Sequence, residues 1–366
     1  MSDAPGDQLL RLDYRPRLPA RRDRGIGIVG AGGIVEYAHL PAYRQAGFLV
    51  VGITDLDADR AKRVATEHAV PTVFPDLDAL LADPRVAIVD VAVYPGAQPE
   101  IVARTIAAGK HCLCQKPLAL DYPTGLRMVE RAEAAGLKLA VNQQMRWDAG
   151  IRYARLLLER GFLGQPTYGT IQVHVQTDWS LWPWILASPR HELLYHSIHY
   201  QDSLRFLFGL PDRVYTSGAR QPGEAAVGET KTLTVWSYAS GLQVLIDVNH
   251  GVWAEDRYAI FRFEGTEGVI KGTLGLLYDY PHGRPDTLAF ATRAQPDRWH
   301  EPVLTTRWVP DAFVGPMASL MCAIEEGGEP ETSARDNLLT LHTVFAGYRS
   351  MAEGRAVDPR EIAREP

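Results

Sequence analysis

The sequence predicts an α/β protein with two domains, the first built on a doubly wound parallel sheet and the second on an antiparallel sheet. In the first part of the chain, short apolar runs alternate with helical patterns, which is typical of a parallel sheet covered by helices on both faces. From residue 165 onward, segments rich in β-branched and aromatic residues follow one another with turns between them. A chain of 366 residues is long enough to form two cores.

Five buried strands are predicted in the first domain, because five short apolar runs are bounded by glycine, proline or polar residues. The runs are GIGIVG (25–30), FLVVGIT (48–54), VAIVDVAVY (86–94), HCLC (111–114) and LKLAVN (137–142). Segments between them predict helices, and aspartate, proline or glycine marks several of their ends. The helical segments are DADRAKRVATEHA (57–69), DLDALLADP (76–84), PEIVARTIAAG (99–109) and DYPTGLRMVERAEAAG (121–136).

The second domain is predicted to contain strands followed by two closing helices. The strand segments are QPTYGTIQVHVQTDW (165–179), RVYTSGAR (213–220), KTLTVWSYAS (231–240), LQVLIDVNHG (242–251), YAIFRFEGTEGVIKGTL (258–274) and LLYDY (276–280). Segments 311–327 and 333–354 have the apolar spacing of helices that face a core. We therefore assign an N-terminal arm to residues 1–24, the first domain to 25–147 and the second domain to 148–366.

Two interpretations are open for the N-terminal arm. For residues 1–8 a disordered tail is expected, because they are polar. Further along the arm, apolar residues are numerous enough for it to lie on another surface instead. These residues are Leu9, Leu10, Leu12, Tyr14 and Leu18.

Composition and charge argue against several classes of partner. The formal net charge is −6, so no basic excess favours nucleic acid, and no apolar stretch is long enough to cross a bilayer. The start of the chain lacks the apolar centre of a signal peptide. The three cysteines, Cys112, Cys114 and Cys322, form no Cys-x-x-Cys pair, which favours a reducing compartment over a disulfide framework or a zinc site. We expect a cytoplasmic protein that binds neither nucleic acid nor membrane.

The stretch GIVGAGGIV (27–35) predicts a dinucleotide site, because its glycines follow the first strand and precede a helical pattern. Gly30 would make the tight turn and Gly32 would let the backbone approach a pyrophosphate. Gly33 and Ile34 complete the expected cofactor-binding turn. Val35 occupies the third glycine position of the motif, so the match is incomplete and a purely structural turn is the alternative.

Asp55 follows the second strand, where a carboxylate can accept hydrogen bonds from the adenosine ribose hydroxyls. The same charge repels a 2′-phosphate, which favours NAD over NADP. Arg60 and Arg63 lie nearby and keep NADP as an alternative, although a solvated helix face is the favoured explanation for them.

Two further stretches, AAGKHCLCQKPLALD (107–121) and SIHYQDSLRFLFG (197–209), resemble the Gfo/Idh/MocA family, the group of glucose-fructose oxidoreductase and inositol dehydrogenase. The resemblance extends from about Gly25 to the segment AGYRSMAEGRAV (346–357). It implies an N-terminal Rossmann domain and a C-terminal α/β domain with an open, mostly antiparallel sheet. It also implies oxidation or reduction of a secondary alcohol or ketone on a sugar, cyclitol or similar polyol with a nicotinamide cofactor.

The Glu-Lys-Pro motif of the family occurs here as Gln115-Lys116-Pro117. The resemblance implies that Lys116 contacts substrate near the nicotinamide, that Gln115 lies beside the cofactor, and that the peptide bond before Pro117 is cis. A carboxylate at position 115 would raise the pKa of the lysine, so we expect the pKa of Lys116 to be lower than in a Gln115→Glu variant.

The family pattern Asp-x-Gly-x-His-x-x-Asp corresponds here to residues 195–202. His199 matches the catalytic histidine and Asp202 the later carboxylate, but Tyr195 stands where the first aspartate is expected. Tyr195 or His196 could replace that aspartate as a hydrogen-bond partner or proton relay, because both lie near the helical face of His199. A metal site formed by His191, His196 and His199 is possible but disfavoured, since no recognisable ligand spacing is completed.

The resemblance assigns further positions to the site. Tyr94, Pro95 and Gln98 match the family loop that lines the cofactor, and Gln98 falls where a histidine is common. Asn142, Arg146 and the adjacent Trp147 are candidates to face substrate or nicotinamide, with structural hydrogen bonding at the domain junction as the alternative. Asp202 would hold His199 or pair within its own helix.

Three tryptophans, Trp179, Trp182 and Trp184, crowd a segment that directly precedes the histidine helix. Flat aromatic faces pack against the apolar face of a sugar, so Trp182 and Trp184 are candidate substrate contacts. A capping loop over the sheet, or an interface, is the alternative.

The combined prediction is an NAD-dependent oxidoreductase that transfers a hydride between nicotinamide and a carbohydrate or polyol. Two alternatives are a redox-neutral enzyme that cleaves glycosides with tightly held NAD, and a non-catalytic dinucleotide-binding regulator. Because an open apolar sheet face usually needs covering, a homodimer or homotetramer is also expected.

Overall fold

The computed structural model describes residues 9–364, and these residues form two compact units. The five-stranded unit comprises residues 16–144 and 309–341. The eight-stranded unit comprises residues 9–15, 145–308 and 342–364. A parallel sheet in one unit and a mostly antiparallel sheet in the other confirm the predicted α/β fold class.

The strands and helices of the described residues are as follows. The strands are β1 (Gly25–Val29), β2 (Val50–Thr54), β3 (Val86–Val91), β4 (His111–Cys114), β5 (Leu139–Val141), β6 (Pro166–His174), β7 (Arg213–Ala219), β8 (Lys231–Ser237), β9 (Gln243–Asn249), β10 (Tyr258–Gly265), β11 (Gly268–Thr273), β12 (Thr287–Thr292) and β13 (Gln295–His300). The helices are α1 (Leu40–Ala46), α2 (Ala58–His68), α3 (Leu77–Ala82), α4 (Gln98–Ala107), α5 (Tyr122–Ala134), α6 (Ala149–Glu159), α7 (Ile198–Phe208), α8 (Val314–Glu326) and α9 (Ala334–Glu353).

The five-stranded unit is built on a parallel sheet with the strand order β2-β1-β3-β4-β5. All residues of β1 are buried, as expected for a central strand covered on both faces. The helices α2, α3 and α5 begin at aspartates whose carboxylates accept a backbone N–H of the first turn. Strand order reverses between β1 and β3, and open α/β sheets bind ligands at the carboxyl ends of strands beside such a point.

Residues 309–341, predicted to belong to the second domain, pack in the five-stranded unit. Strand β5 lies at the edge of the parallel sheet, and the N–H of Val141 donates to the carbonyl oxygen of Thr332 at 2.9 Å. Ala140 also bridges to Ser333. These contacts cover a strand edge that would otherwise expose unpaired backbone groups, which is the physical reason for the return of the chain.

The eight-stranded unit contains the sheet β13-β12-β11-β10-β6-β9-β8-β7. Neighbouring strands are antiparallel except for β6 and β9, which run parallel. Two predictions were wrong here. The segment 276–280 forms a 3₁₀ turn rather than a strand, while β12 and β13 were not predicted. Strand β13 is an edge strand with mostly exposed polar residues, so it carries little of the apolar signal on which strand prediction depends.

One face of the eight-stranded sheet is open at its β7–β8 end. Alternate residues of these strands are buried, whereas Tyr215, Leu233 and Val235 keep 45%, 51% and 39% of their surface exposed. In the described part of the chain no helix combines the length and hydropathy that crossing a membrane requires. The three cysteines are free thiols, and all are buried.

The N-terminal arm lies on protein surface from residue 9 onward. In the eight-stranded unit the hydroxyl of Tyr153 donates to the carbonyl oxygen of Leu9 at 2.6 Å, and the N–H of Thr305 donates to the hydroxyl of Tyr14 at 2.9 Å. In the five-stranded unit Arg17 pairs with Glu326 at 2.6 Å. The tail predicted for residues 1–8 lies outside the described residues.

A buried pair of carboxyl groups joins the start of α6 to the segment after the 3₁₀ turn in the eight-stranded unit. Asp148 is fully buried, and Asp286 accepts the N–H groups of Gly150 at 2.9 Å and Gly275 at 2.7 Å. Burial, the neighbouring Asp286 charge and a hydrogen bond to it all raise the pKa of Asp148 well above its ordinary value. Asp148 therefore holds a proton in the folded protein and donates it toward the Asp286 carboxylate.

We expect Asp148→Asn to stabilise the protein at pH 8 and to have less effect at pH 5. A carboxyl whose pKa is raised in the folded state contributes stability below its unfolded pKa and loses that contribution as the pH rises through the folded pKa. Asparagine keeps a donor toward Asp286 and cannot ionise, so a gain of about 1 kcal/mol or more is expected at pH 8. Thermal unfolding at the two pH values measures the difference. Asp286→Asn, which loses an acceptor for a backbone N–H, should destabilise at both, and an equal gain for Asp148→Asn at both pH values would contradict the protonation argument.

Candidate active site

The glycine turn after β1 has the open backbone that a pyrophosphate needs. Gly30 adopts φ +104°, and a Cβ there would lie 2.3 Å from the carbonyl oxygen of Ala92, so only glycine fits. A Cβ at Gly32 would meet nothing within 4 Å, and Gly33 is exposed. Ile34 is half-buried and leads into the next helical turn. The turn therefore fits a bound dinucleotide, which would approach the backbone at Gly32.

The incomplete motif at Val35 coincides with an unusual backbone. Residues Val35–His39 form a π-helical turn that continues into α1, and Val35 itself is fully buried. A second π-helical turn, Leu193–Ser197, precedes α7 in the eight-stranded unit. The first wide turn ends at His39, and the second contains His196 and precedes His199. Such turns occur frequently at functional sites.

Asp55 lies at the end of β2 with its carboxylate turned back to the glycine turn. Its Oδ2 accepts the N–H of Ala31 at 2.6 Å, and its Oδ1 accepts from Arg60 at 2.6 Å and from the N–H of Asp57 at 2.8 Å. Burial opposes ionisation of Asp55, but the hydrogen bonds from Arg60 and the two backbone groups outweigh it and lower its pKa. Arg63 pairs with Glu36 and Glu67 on the helix face instead.

The loop after β3 divides into an exposed and a buried part. Tyr94 keeps 51% of its surface exposed, while Pro95 is buried. Gln98, predicted to line the cofactor, is fully buried and holds a turn of the chain, and its cofactor role stays a prediction. Its amide nitrogen lies 2.9 Å from the carbonyl oxygen of Gln115 and 3.0 Å from those of Pro117 and Leu118.

The turn that carries Lys116 follows β4, at the carboxyl end of the sheet. The Lys116–Pro117 peptide bond is cis, as the resemblance implied. The side chain of Lys116 retains some exposed surface, but the atoms around it bury the amine sufficiently to lower its pKa to about 8. A substantial neutral fraction near pH 8 makes this amine a competent proton acceptor.

Sequence reasoning missed two residues beside this turn, His39 and Asp90. Both are fully buried, and the Nε2 atom of His39 lies 2.6 Å from the amide nitrogen of Gln115. Asp90 interrupts the apolar run of β3, and a charged residue inside a buried strand is rare unless it is paired. That interruption was the signal that could have identified the pair.

In the eight-stranded unit, the segment before α7 gathers aromatic and histidine rings. His196 lies with its ring centroid 5.1 Å from that of Trp179, 6.1 Å from that of Trp182 and 5.0 Å from that of His250. Tyr195, which is 3% exposed, meets Trp184 edge-on at 5.3 Å. Trp182 and Trp184, the predicted substrate contacts, thus lie beside His196 and Tyr195 respectively. His196 and Tyr195 are the two residues proposed to replace the aspartate of the family pattern.

His191 belongs to the same cluster, with its ring 4.4 Å from Trp179. Burial, together with the nearby His250, lowers its pKa to about 4, so the imidazole is neutral at physiological pH. Within residues 9–364, no group of three or more histidine, cysteine, aspartate or glutamate side chains is arranged to hold a metal ion.

His199 begins the first turn of α7, is 8% exposed, and meets the ring of Trp308 edge-on at 5.5 Å. Asp202, one turn later, is almost fully buried and accepts two hydrogen bonds from Arg146, each 2.7 Å long. Arg205 approaches the same carboxylate at 3.3 Å, which is pairing within the helix, one of the two predicted roles of Asp202.

Arg146 and Trp147, both predicted to face substrate, are also buried in this unit. The guanidinium of Arg146 lies 5.2 Å from the centre of the Phe206 ring, and that of Arg152 lies 4.9 Å from the Trp147 ring. Their contacts match the structural alternative, and the substrate role stays a prediction. Lys116 belongs to the five-stranded unit and His199 to the eight-stranded unit, so their convergence on one substrate atom stays a prediction.

Two family models match this chain. The model of an oxidoreductase family with an NAD-binding Rossmann fold, GFO/IDH/MocA, matches residues 24–143, and that of the GFO/IDH/MocA C-terminal domain matches residues 151–271. D-apiose dehydrogenase from Paraburkholderia graminis is 28% identical over 343 residues, covering 91% of this chain and 89% of that protein. 1,5-Anhydro-D-fructose reductase from Ensifer adhaerens is 26% identical, over 91% of this chain and 97% of that protein.

A solved oxidoreductase from Agrobacterium radiobacter, in complex with NAD+, L-tartaric acid and magnesium, has a similar fold. The TM-score is 0.82 at 23% sequence identity, over 93% of this chain and 99% of that chain. At this identity the likeness establishes the fold and nothing finer.

Proposed function

The chain belongs to the GFO/IDH/MocA oxidoreductase family, and from this we propose that it is an NAD-dependent dehydrogenase acting on a secondary alcohol or ketone of a sugar, a sugar derivative or a cyclitol. The observation that carries the proposal is Lys116. Its amine, with a pKa lowered to about 8, follows a strand of the same sheet that carries the open glycine turn. The relatives named above act on an apiose and an anhydrofructose, which supports a carbohydrate substrate.

The dinucleotide would be held at Gly30, Gly32 and Asp55, and when bound it supplies the chemistry of accepting or donating a hydride. The protein contributes the proton transfer. Lys116 and His199 would share the proton of the substrate hydroxyl, one as general base and the other as its orienting partner. The proposal therefore requires both groups to reach the same oxygen atom.

The aromatic cluster supports the substrate class. Trp182 and Tyr280 have ring centroids 5.4 Å apart, and His196 lies beside Trp182. Indole and phenol faces would pack on the apolar face of a sugar, while the imidazole would bind its hydroxyls. We assign the substrate contact to Trp182 and Trp184, with Tyr195 and His196 as the polar groups.

A cytoplasmic location and a homo-oligomer belong to the same proposal. The location is supported by three free cysteines, which suit a reducing compartment. The oligomer is supported by the exposed apolar residues of the open sheet face, Tyr215, Leu233 and Val235.

The test is turnover of a panel of pentoses, anhydrosugars and inositols with NAD, followed by the absorbance of NADH. Net NADH with one class of polyol is the expected result. Product without net NADH would indicate redox-neutral cleavage instead, and tight NAD binding without any turnover would indicate a regulatory protein. Either outcome would overturn the proposed activity.

We expect Asp55→Ala to shift the cofactor preference from NAD toward NADP. The substitution removes the acceptor for the ribose hydroxyls and releases Arg60, whose guanidinium can then meet a 2′-phosphate. Loss of a charged hydrogen bond corresponds to about a 10–100-fold change in the ratio of the two dissociation constants. Fluorescence titration with NADH and NADPH measures this ratio without substrate. Asp59→Ala, on an exposed side chain of α2 beside Arg60, is the control. An unchanged ratio for Asp55→Ala would refute the assignment.

A further inference from the structure

A buried polar network in the five-stranded unit surrounds the turn that carries Lys116. At its centre is His39, the last residue of the π-helical turn and fully buried. Its Nδ1 atom lies 2.6 Å from Oδ2 of Asp90, and its Nε2 atom lies 2.6 Å from the amide nitrogen of Gln115 and 3.2 Å from that of Asn142. One imidazole thus joins β3, the end of β4 and the end of β5.

The partners of His39 determine its tautomer. The amide nitrogens of Gln115 and Asn142 are donors, so Nε2 must accept and the ring proton must be on Nδ1. That proton is donated to Asp90, whose Oδ2 also accepts the hydroxyl of Tyr43 at 2.8 Å. A carboxylate behind a histidine fixes both the tautomer and the orientation of the ring, as it does for histidines that bind metals. Here the lone pair on Nε2 of His39 accepts a hydrogen bond from the side-chain amide of Gln115.

The network continues from Gln115 to the lysine. The Oε1 atom of Gln115 accepts the N–H of Lys116 at 3.3 Å, so the side chain that His39 holds also holds the backbone of the next residue. On the main-chain side, the carbonyl oxygen of Gln115 accepts from the amide of Gln98 at 2.9 Å. The turn is therefore fixed from its side chain by His39 and from its backbone by Gln98.

Few titratable groups face His39 among residues 9–364. Asp90 on β3 and Tyr43 on α1 are the titratable groups in contact with it, and the ring of Phe313 lies 5.2 Å from its own. Burial raises the pKa of the Cys112 and Cys114 thiols on β4, and the nearby Asp90 adds to the rise. Because both thiols are buried, they stay neutral at physiological pH.

We propose that His39, oriented by Asp90, is a positioning residue that holds Lys116 in its buried setting through the side-chain amide of Gln115. The catalytic consequence rests on the proposed function, but the positioning does not. The imidazole contacts Gln115 rather than Lys116, so His39 acts on the lysine through one intermediate residue. Such an action predicts a specific pattern of non-additivity between substitutions at positions 39 and 115.

The experiment measures the amine of Lys116 directly, in the whole protein and without NAD or substrate. Competitive acetylation by acetic anhydride over a pH series, read by mass spectrometry of the Lys116 peptide, reports the neutral fraction of that one amine. In the wild type, half of the amine should be neutral near pH 8. In His39→Leu and in Gln115→Leu the turn should loosen, water should reach the amine, and acetylation at pH 8 should fall by about fivefold, which corresponds to a pKa higher by about one.

Three comparisons separate positioning from a general loss of structure. In the double variant His39→Leu/Gln115→Leu, Lys116 should be acetylated to the same extent as in Gln115→Leu alone. Once Gln115 is replaced, the residue at position 39 no longer has a link to Lys116, so its replacement adds no further effect. His39→Gln, which keeps an acceptor at the position of Nε2, should recover part of the wild-type profile. Tyr43→Phe removes a different hydrogen bond from Asp90 and should lower the melting temperature without changing the acetylation of Lys116.

Wild-type acetylation of Lys116 in folded His39→Leu and Gln115→Leu would overturn the proposal, as would fully additive effects in the double variant. If His39→Leu does not fold, Gln115→Leu and His39→Gln still test the contact between His39 and Gln115, because each variant changes one of the two partners. Absence of turnover with every polyol would refute the proposed function while leaving the acetylation result to decide the role of His39.

Discussion

Lys116→Ala is expected to lower kcat by about 10²–10⁴-fold, with the affinity for NAD largely unchanged. The reason is the position of the amine at the end of β4 and its pKa of about 8, which together suit a group that takes up a substrate proton at neutral to mildly alkaline pH. Steady-state kinetics on the best polyol, with NADH binding by fluorescence on the same preparations, measure both quantities. Below pH 8 the wild-type rate should decline as the lysine becomes protonated.

His199→Ala is expected to reduce kcat over the same range, because His199 is the proposed partner of Lys116 in the proton transfer. The double variant should be little worse than the more impaired single variant if the two groups act as a unit. Lys62→Ala, on an exposed side chain of the same unit as Lys116, provides the control for loss of a lysine. Full activity after both substitutions would remove the proton-transfer assignment from these residues.

Asp202→Ala is expected to destabilise the protein by about 3–5 kcal/mol, the usual cost of removing one partner of a buried ion pair. The Asp202 carboxylate accepts two hydrogen bonds from Arg146 and lies 3.3 Å from Arg205, and both arginine side chains are nearly inaccessible. Without the carboxylate, two buried guanidinium groups would lose their counter-charge. Urea unfolding followed by circular dichroism measures the change.

Asp59→Ala is the matched control, because Asp59 pairs with Lys62 on the surface and such pairs contribute little to stability, about 0–1 kcal/mol. Replacing Arg146 and Asp202 together with methionine and leucine should recover part of the stability lost in Asp202→Ala, since the uncompensated charge is then smaller. A loss for Asp202→Ala no larger than that for Asp59→Ala would show that the buried pair is not needed for stability.

The parallel sheet could be predicted from sequence because its strands are buried on both faces and therefore appear as continuous apolar runs. The glycine turn and Asp55 could be located because their spacing follows from the chemistry of a dinucleotide. Strand β13 could not, since an exposed edge strand carries polar residues that do not distinguish it from a loop. The placement of residues 309–341 could not be predicted either, because helical periodicity shows that a helix has an apolar face and not which sheet covers it.

The polar interior of the candidate site was the least predictable part. Arg146 and Asp202 were placed in the site by the family resemblance, and their pairing with each other joins residues 56 positions apart. Gln98 was assigned to the cofactor from its place in a loop, whereas its amide serves three carbonyl oxygens of another loop. Such partnerships depend on tertiary contacts, so a sequence indicates only that Asp90 and His39 need partners, and not which ones.

The return of the chain to the edge of β5 has a consequence for synthesis. Residues 16–144 emerge from the ribosome early in synthesis. The backbone groups of Ala140 and Val141, however, pair with residues 332–333, which emerge only after the whole eight-stranded sheet has been translated. The nascent N-terminal sheet must therefore persist with an unprotected border during most of elongation. A C-terminal truncation before residue 332 would leave that border permanently bare, so damage at the end of the reading frame would act on the half of the protein that was made first.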